Sequence, residues 1–201
     1  MDSKSLIEFE NDFPFTPTPD QISAFKSIKK DLSLIKPMNR VLCGDVGFGK
    51  TEVAMKAAFV SVSSNKQVIV ITPSTILCDQ HYDSFLKRYI NFGVTVKKLN
   101  RFVSAKDKNN IINEFNLGNI DILISTHIIF NNNINFMNVG LLIIDEEHKF
   151  GIKQKNFIKD KQENIHILYL SATPIPRTMN MVFSGLKDFS FLQTAPSNRL
   201  S

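Results

Sequence analysis

The chain has 201 residues, of which 43% are hydrophobic and 21% are charged, and this composition excludes a disordered chain. Its net charge of +5 gives a weak indication of attraction to phosphate backbones. No apolar run approaches the roughly 18 residues of a membrane-spanning helix, and the N-terminus lacks the apolar stretch of a signal peptide. We expect a cytoplasmic protein without a membrane partner, in which Cys43 and Cys78 are buried, reduced thiols.

Two capping patterns mark predicted helix starts. Thr18 and Gln21 form a capping box around a proline, which suits the first position of a helix. Ser104 marks a second helix start further along the chain. We expect residues 1–14 to be a loosely held N-terminal tail and residues 15–201 to form a single domain.

Short apolar runs, separated by helical patterns, predict strands along the whole chain. Most of these runs are continuously apolar, as strands buried on both faces are. The predicted strands are 41–43, 67–71, 94–99, 120–125, 141–144, 165–170 and 189–192. Their alternation with helices predicts an α/β fold with a mainly parallel sheet of about seven strands and helices on both faces. Right-handed crossovers then bring the carboxyl ends of the strands to one edge, where ligands bind.

A glycine-rich loop lies between the predicted strand 41–43 and a predicted helix over residues 50–63. It consists of Gly44, Asp45, Val46, Gly47, Phe48, Gly49, Lys50 and Thr51, which is the spacing of a phosphate loop. The glycines let backbone N–H groups face phosphate oxygens, and the helix N-terminus adds partial positive charge. Lys50 would reach the β- and γ-phosphates, and Thr51 would hold Mg²⁺. The alternative, a plain strand-to-helix turn, is disfavoured by the strand–loop–helix context.

The predicted strand 141–144 runs directly into Asp145, Glu146, Glu147 and His148. Taken alone, this is best interpreted as a solvated strand end. Together with the phosphate loop it supplies the metal ligand that the loop lacks, because Asp145 would hold Mg²⁺ through water. Glu146 would then polarise the attacking water as a general base. His148 by itself indicates no more than a structural histidine.

A third polar segment follows the predicted strand 165–170. It begins with Ser171, Ala172 and Thr173, and it continues through two prolines to Thr178. The simplest interpretation is a proline-stiffened turn in which Thr178 caps a helix. Hydrogen bonds from the small hydroxyl groups to His148 are compatible with that turn.

These three segments, in this order and spacing, resemble the first motor domain of superfamily 2 helicases. The strings GDVGFGKTEVA (44–54), DEEHKFG (145–151) and ATPIPRT (172–178) closely resemble the bacterial transcription-repair coupling factor family. RecG-type helicases are similar, but that family usually has Gln at position 147 and Ser at position 48. A fragment of a RecG-type helicase is therefore the alternative assignment.

The resemblance implies a RecA-like, ATP-binding motor domain that uses ATP and Mg²⁺, and in its family couples ATP hydrolysis to translocation on duplex DNA. Gln21 matches the glutamine that recognises adenine, since an amide donates to N7 and accepts from N6. Its role as capping partner of Thr18 is an equal alternative. Phe15 would pack on the base or, equally, in the core. The resemblance also assigns coupling roles to His148, Ser171 and Thr173.

Five further residues match family segments that touch the nucleic-acid backbone. They are Thr72, Ser74, Arg101, Thr126 and His127. Hydroxyl groups, backbone N–H groups and one arginine suit weak, sequence-independent contact with duplex DNA. Without the resemblance, a loop or capping role would be the better interpretation of each residue.

The chain matches only the first of the two RecA-like domains in such motors. The second domain normally supplies arginine fingers, which are worth about 10³–10⁵ in rate in related systems. We therefore expect the isolated chain to hydrolyse ATP slowly or not at all, a separate second motor domain as a possible partner, and no stable complex with RNA polymerase. A truncated gene product and a non-enzymatic nucleotide- or DNA-binding remnant are open alternatives, although the intact Glu146 argues for continuing use.

Overall fold

Six α-helices and seven β-strands alternate in the computed structural model, which describes residues 3–173 and 187–196. The helices are α1 (Ser3–Asn11), α2 (Pro19–Leu32), α3 (Lys50–Val62), α4 (Thr75–Tyr89), α5 (Ala105–Asn116) and α6 (Ile152–Lys161). The strands are β1 (Asn39–Gly44), β2 (Gln67–Ile71), β3 (Val96–Leu99), β4 (Ile122–Ser125), β5 (Val139–Asp145), β6 (His166–Ser171) and β7 (Asp188–Leu192). Short 3₁₀ turns, His127–Asn131 and Glu147–Lys149, follow β4 and β5.

The strands form one sheet of order β3-β4-β2-β5-β6-β1-β7, and each described pairing is parallel. This confirms the predicted fold. Because the strands are parallel, their carboxyl ends share one edge of the sheet, the carboxyl edge. Only β6 separates β1, which leads into the glycine-rich loop, from β5. Cys43 is in register with Ser171, and Asp145 is in register with Leu170, so the three strand ends lie side by side.

Two apolar layers enclose the sheet, one on each face. Helices α1 to α4 cover the face to which Leu141 and Ile143 contribute, whereas α5 and α6 cover the face of Leu142 and Ile144. All five residues of β2 are buried, as expected for a strand covered on both sides. The continuous apolar runs of the sequence therefore reflect burial on two faces.

The N-terminal residues form a helix, so the expectation of a loosely held tail is wrong for the described residues from 3 to 11. Leu6 and Phe9 of α1 are buried in the same core as α3, and the Phe9 ring stacks on Phe59 at 4.2 Å. The Arg88 guanidinium donates to the Phe9 carbonyl oxygen and lies 3.7 Å from the centre of its ring. Contacts from distant parts of the chain hold this segment in place.

Two predicted strands begin later than their apolar runs. Strand β3 begins at Val96, and β4 begins at Ile122. The residues before them form a junction in which Thr95 N donates to the Asp121 carboxylate at 2.7 Å, and Asp121 N donates to Thr95 O at 3.1 Å. These contacts occupy the backbone groups before the two strands, so the ladder begins at Val96 and Ile122.

The two predicted helix caps and the two buried thiols are confirmed. Thr18 and Gln21 form the capping box of α2, and Ser104 caps α5 by accepting from Asp107 N at 3.1 Å. Cys43 and Cys78 are buried free thiols, and burial raises the pKa of each to about 11. None of the described helices is long and apolar enough to cross a membrane. The predicted cap at Thr178 lies outside the described residues.

Candidate functional site

The glycine-rich loop connects the end of β1 to the start of α3, as predicted. Gly47 and Gly49 have φ angles of 83° and 81°, a left-handed conformation that other residues rarely adopt. Gly44 lies against β7, where a Cβ atom would come within 2.9 Å of Leu192 Cβ. The N-cap of α3 is Gly49, which has no side chain to accept from the first helical N–H groups. Those donors are therefore available to an anion.

Lys50 lies across the loop that precedes it. Its ammonium donates to the carbonyl oxygens of Gly44, at 2.5 Å, and Asp45, at 3.0 Å. Burial lowers the pKa of the Lys50 ammonium from its usual value, while the carboxylates of Asp145, Glu146 and Asp45 oppose this decrease. The Lys50 ammonium thus faces the acidic end of β5. Its N–H groups donate to main-chain carbonyl oxygens, which a bound anion could replace as acceptors.

An open cavity of about 850 Å³ lies at the carboxyl edge between the loop, α4 and the ends of β5 and β6. Its lining includes Lys50, Thr51, Asp145 and Glu146, which the sequence analysis had assigned to one site. Val46 and Gly47 of the loop also line it, whereas Phe48 packs its half-buried ring against the core. The cavity is within the usual size range for small-molecule sites, roughly 300–1,000 Å³.

A buried histidine that the sequence analysis missed holds Asp145. The Nε2 atom of His81 lies 2.8 Å from Asp145 Oδ2, and only 7% of His81 and 8% of Asp145 are exposed. Because a carboxylate only accepts, Nε2 must carry the proton. The other ring nitrogen, Nδ1, is buried and has no hydrogen-bond partner among the described residues. A lone histidine within a helical pattern carries no spacing signal that would have identified it.

Glu146 adopts an unusual backbone conformation and bridges two predicted coupling elements. Its φ of 54° and ψ of 51° place a non-glycine residue in the left-handed region. Its carboxylate accepts from Ala172 N at 3.3 Å and pairs with His148 Nε2 at 3.2 Å. Within the described part of the chain, the His148 ring therefore lies against the Glu146 carboxylate, and Ser171 Oγ accepts from Thr173 N.

Both ends of the Gln21 amide form a hydrogen bond in the structure. Its Oε1 accepts from Thr18 N at 3.1 Å, which completes the capping box, and its Nε2 donates to Phe48 O at 2.8 Å. The capping role is therefore confirmed. The same side chain also holds the glycine-rich loop in place through its hydrogen bond to Phe48 O. Phe15 is 37% exposed and contacts Phe13 edge to face at 5.5 Å.

The five residues predicted to touch nucleic acid all lie at the carboxyl edge, beyond the ends of β2, β3 and β4. Thr72 and Thr126 are buried, and Thr72 Oγ1 donates to Ser74 O at 3.1 Å. Ser74 caps α4 by accepting from Leu77 N at 3.2 Å. Arg101 and His127 are exposed, and the guanidinium of Arg101 lies 4.8 Å from the Phe102 ring centre. The hydroxyl groups of Thr72 and Ser74 are thus engaged in local structure, whereas the side chains of Arg101 and His127 are accessible.

Comparisons with known proteins agree with this architecture. The model of the DEAD/DEAH box helicase family matches residues 18–182. The transcription-repair-coupling factor of Escherichia coli (strain K12) is 49% identical over 193 residues, which are 96% of this chain and 17% of that protein. The corresponding factor of Borreliella burgdorferi is 48% identical over 199 residues, 99% of this chain and 18% of its own length. The chain therefore spans less than a fifth of these two relatives.

Solved structures show the same likeness. A structure of RecG bound to a three-way DNA junction has a TM-score of 0.87 and 34% sequence identity, and the match covers 99% of this chain and 27% of that one. The Pyrococcus furiosus Hef helicase domain has a TM-score of 0.65 at 18% identity, over 90% of this chain and 39% of that one. The second match bears on the fold alone. Together with the sequence relatives, these matches confirm the resemblance predicted from the motifs.

Proposed function

Because the chain belongs to the DEAD/DEAH box helicase family, we propose that it is an ATP-binding motor domain whose ATP hydrolysis is coupled to movement on duplex DNA. It is homologous to transcription-repair-coupling factors, and we propose that it serves a repair translocase of that type. The observation that carries the proposal is the convergence of Lys50, Thr51, Asp145 and Glu146 on one cavity.

The loop is the proposed phosphate-binding element. The uncapped N–H groups at the start of α3 and the Lys50 ammonium would bind the phosphates, which replace the carbonyls of Gly44 and Asp45 as partners of Lys50. Gln21 already forms one hydrogen bond through Oε1 and one through Nε2, and adenine recognition would use the second N–H and the second lone pair of its amide. Phe15 would supply an apolar surface for the base.

The donor set fits Mg²⁺. Thr51 offers a hydroxyl oxygen and Asp145 a carboxylate, which are the hard oxygen ligands that Mg²⁺ prefers. The described residues contain no group of three or more His, Cys, Asp or Glu side chains that could hold a metal ion. Mg²⁺ typically takes one or two protein ligands and completes its shell with phosphate and water. When bound, Mg²⁺ would neutralise charge on the phosphates.

Glu146 is the proposed general base. Its carboxylate lies in the cavity wall beside Asp145, where it would accept the proton of the attacking water. Its bonds to Ala172 N and His148 fix the carboxylate, and they connect it to the segment that contains Ser171 and Thr173. We propose that a change in that segment, on contact with DNA or with a second motor domain, alters the orientation of Glu146.

Duplex DNA is the proposed partner at the other half of the carboxyl edge. Arg101 and His127 are exposed there and would contact phosphates without regard to sequence. Thr72, Ser74 and Thr126 would shape the loops that present backbone groups. We propose that a second motor domain supplies further cationic groups to the nucleotide site.

Steady-state ATP turnover tests the proposal. We expect slow turnover that duplex DNA increases and that Glu146→Gln lowers by about 10²-fold or more. Glu163→Gln, an exposed carboxylate on a different part of the surface, is the matched control and should leave turnover unchanged. Turnover equal to that of Glu146→Gln, with and without DNA, would favour a non-enzymatic nucleotide- or DNA-binding remnant instead.

A further inference from the structure

Helix α4 connects the two halves of the carboxyl edge. It begins after the segment 72–74, beside the ends of β2 and β4, where Thr72 N donates to Ser125 O at 2.9 Å. Ser74 caps the helix, and His81 follows two turns later with its ring in the wall of the nucleotide cavity. One rigid element therefore has its first turn at the proposed DNA-facing loops and a side chain on the proposed metal-binding carboxylate.

The contact between His81 and Asp145 is well defined. The Nε2–Oδ2 distance is 2.8 Å, and both side chains are about nine-tenths buried. The ring also packs edge to face on Phe85, one turn further along α4, with centroids 6.3 Å apart. The described hydrogen bonds leave Asp145 Oδ1 without a protein donor. The imidazole thus holds one carboxylate oxygen, while the other stays available.

Stability alone does not explain this histidine. Its Nδ1 is buried without a hydrogen-bond partner among the described residues, which costs free energy relative to an apolar residue of similar volume. Groups that hydrogen-bond to a metal ligand orient that ligand, and their loss typically weakens metal binding about 10–100-fold. The position of His81 matches such a role.

We propose that His81 is a positioning residue through which α4 sets the orientation of Asp145. On this proposal, which rests on the proposed nucleotide site, His81 strengthens the contribution of Mg²⁺ to nucleotide binding. It also makes that contribution respond to DNA, because displacement of the segment 72–74 shifts α4 and with it the hydrogen bond to Asp145. His81 does not touch the reacting atoms.

The first test measures the affinity of a non-hydrolysable ATP analogue in Mg²⁺ and in EDTA. We expect His81→Leu to reduce the gain in affinity due to Mg²⁺ by about tenfold, with the affinity in EDTA unchanged. His81→Gln should restore most of the gain, because its amide N–H reaches about as far as imidazole Nε2. Lys87→Ala is the matched control, since Lys87 is exposed on the same helix and does not line the cavity.

The outcomes separate the two proposals. If the wild-type chain does not bind the analogue, the proposed function fails. If it binds and His81→Leu keeps the full Mg²⁺ gain, the role of His81 fails while the proposed function stands. Should His81→Leu not fold, His81→Asn makes the same comparison, because its shorter amide does not reach Asp145.

The second test adds a duplex oligonucleotide to the same titration. We expect DNA to change the Mg²⁺-dependent affinity of the wild-type chain and of His81→Gln, but not that of His81→Leu. An equal response of His81→Leu would overturn the link through α4. The link through α4 would also be overturned if saturating DNA left the Mg²⁺-dependent affinity of the wild-type chain unchanged.

Discussion

The phosphate loop and the acidic end of β5 face each other across one cavity, yet different kinds of contact hold them. In the loop, Lys50 donates to the carbonyls of Gly44 and Asp45, and Phe48 N donates to Asp45 O at 3.2 Å. These partners are neighbours in sequence, and one side chain from outside the loop, Gln21, donates to Phe48 O from 27 positions away. At the acidic end, the carboxylates of Asp145, Glu146 and Glu147 bond to residues 64, 26 and 40 positions away.

This difference separates what local backbone geometry determines from what tertiary packing determines. Glycines at positive φ shape the loop, and they do so wherever this sequence follows a strand and precedes a helix. The carboxylates of β5 take their orientation from α4, β6 and the residue before β7. Substitutions of loop side chains that make only local contacts, such as Lys50, should therefore affect ligand binding more than stability. Substitutions at positions far away in the sequence should change the geometry of the acidic end.

The largest effect on stability is expected at Glu52, in the first turn of α3 directly after the glycine-rich loop. The Arg88 guanidinium donates to both oxygens of this buried carboxylate, and burial raises the pKa of Glu52 although Arg88 opposes that increase. Arg88→Met should lower the free energy of unfolding by about 3–5 kcal/mol, because it leaves a buried charge unpaired. The exposed Arg101→Met should change it by about 0.5 kcal/mol or less. Urea denaturation measures both, and similar losses for the two variants would contradict the account.

A smaller effect is expected within the loop. Gly49→Ala and Gly118→Ala both place a side chain at positive φ, which costs about 1–2 kcal/mol. The Cβ atom at position 49 would also collide with Gln21 Nε2, whereas nothing lies within 4 Å of the Cβ position at residue 118. Gly49→Ala should therefore cost about 1–3 kcal/mol more than Gly118→Ala. Equal costs in urea denaturation would mean that Gln21 does not brace the loop.

The two regions also differ in how far the sequence alone could predict them. Spacing and context predicted the loop, and the apolar run before Asp145 predicted its strand. The opposition of the two motifs follows from parallel topology. The contact of His81 with Asp145 could not be predicted from the sequence, because it forms only when α4 packs beside the end of β5.

Elsewhere in the chain, burial determines the surroundings of residues for which the sequence pattern alone gave no reliable prediction. Thr72 and Thr126 match strings that suggest surface contact, but neighbouring strands cover both residues. The N-terminal helix was missed because Phe9 is held by Arg88, which lies 79 positions further along the chain. The central strands, in contrast, were predictable from continuous apolar runs, since burial on both faces requires them.

A minor effect is expected for the outermost carboxylate of the acidic end. Glu147 pairs with Lys187 at 2.7 Å, and Lys187 lies 3.6 Å from the Tyr169 ring centre. Both charged side chains remain partly exposed, so Glu147→Gln should cost less than about 1 kcal/mol. The exposed Glu163→Gln is its control. A loss well above 1 kcal/mol in urea denaturation would show that this pair anchors the acidic end as firmly as a buried contact.

The smallest effect is on the pH dependence of stability, and we expect it at His166, the first residue of β6. Burial lowers the pKa of His166 below its usual value of 6.5, and its Nδ1 accepts from Met38 N at 2.9 Å. The unfolded chain therefore binds this proton first as the pH falls, so His166 contributes stability above pH 6.5 that is lost as the pH falls toward the folded-state pKa. In His166→Asn, which keeps an acceptor at the same place, the free energy of unfolding should fall less between pH 7 and the acid range. Identical pH dependence would contradict the assignment.

The central claim is that the loop of β1 and α3 binds nucleotide through Lys50. The most direct measurement is the titration of a fluorescent ATP analogue with Mg²⁺ against the wild-type chain, Lys50→Ala and the control Lys153→Ala, an exposed lysine on α6. The account predicts that Lys50→Ala weakens binding about tenfold or more, since it removes a charge-assisted contact to phosphate. Lys153→Ala should bind like the wild type. Equal affinities for all three proteins would contradict the claim.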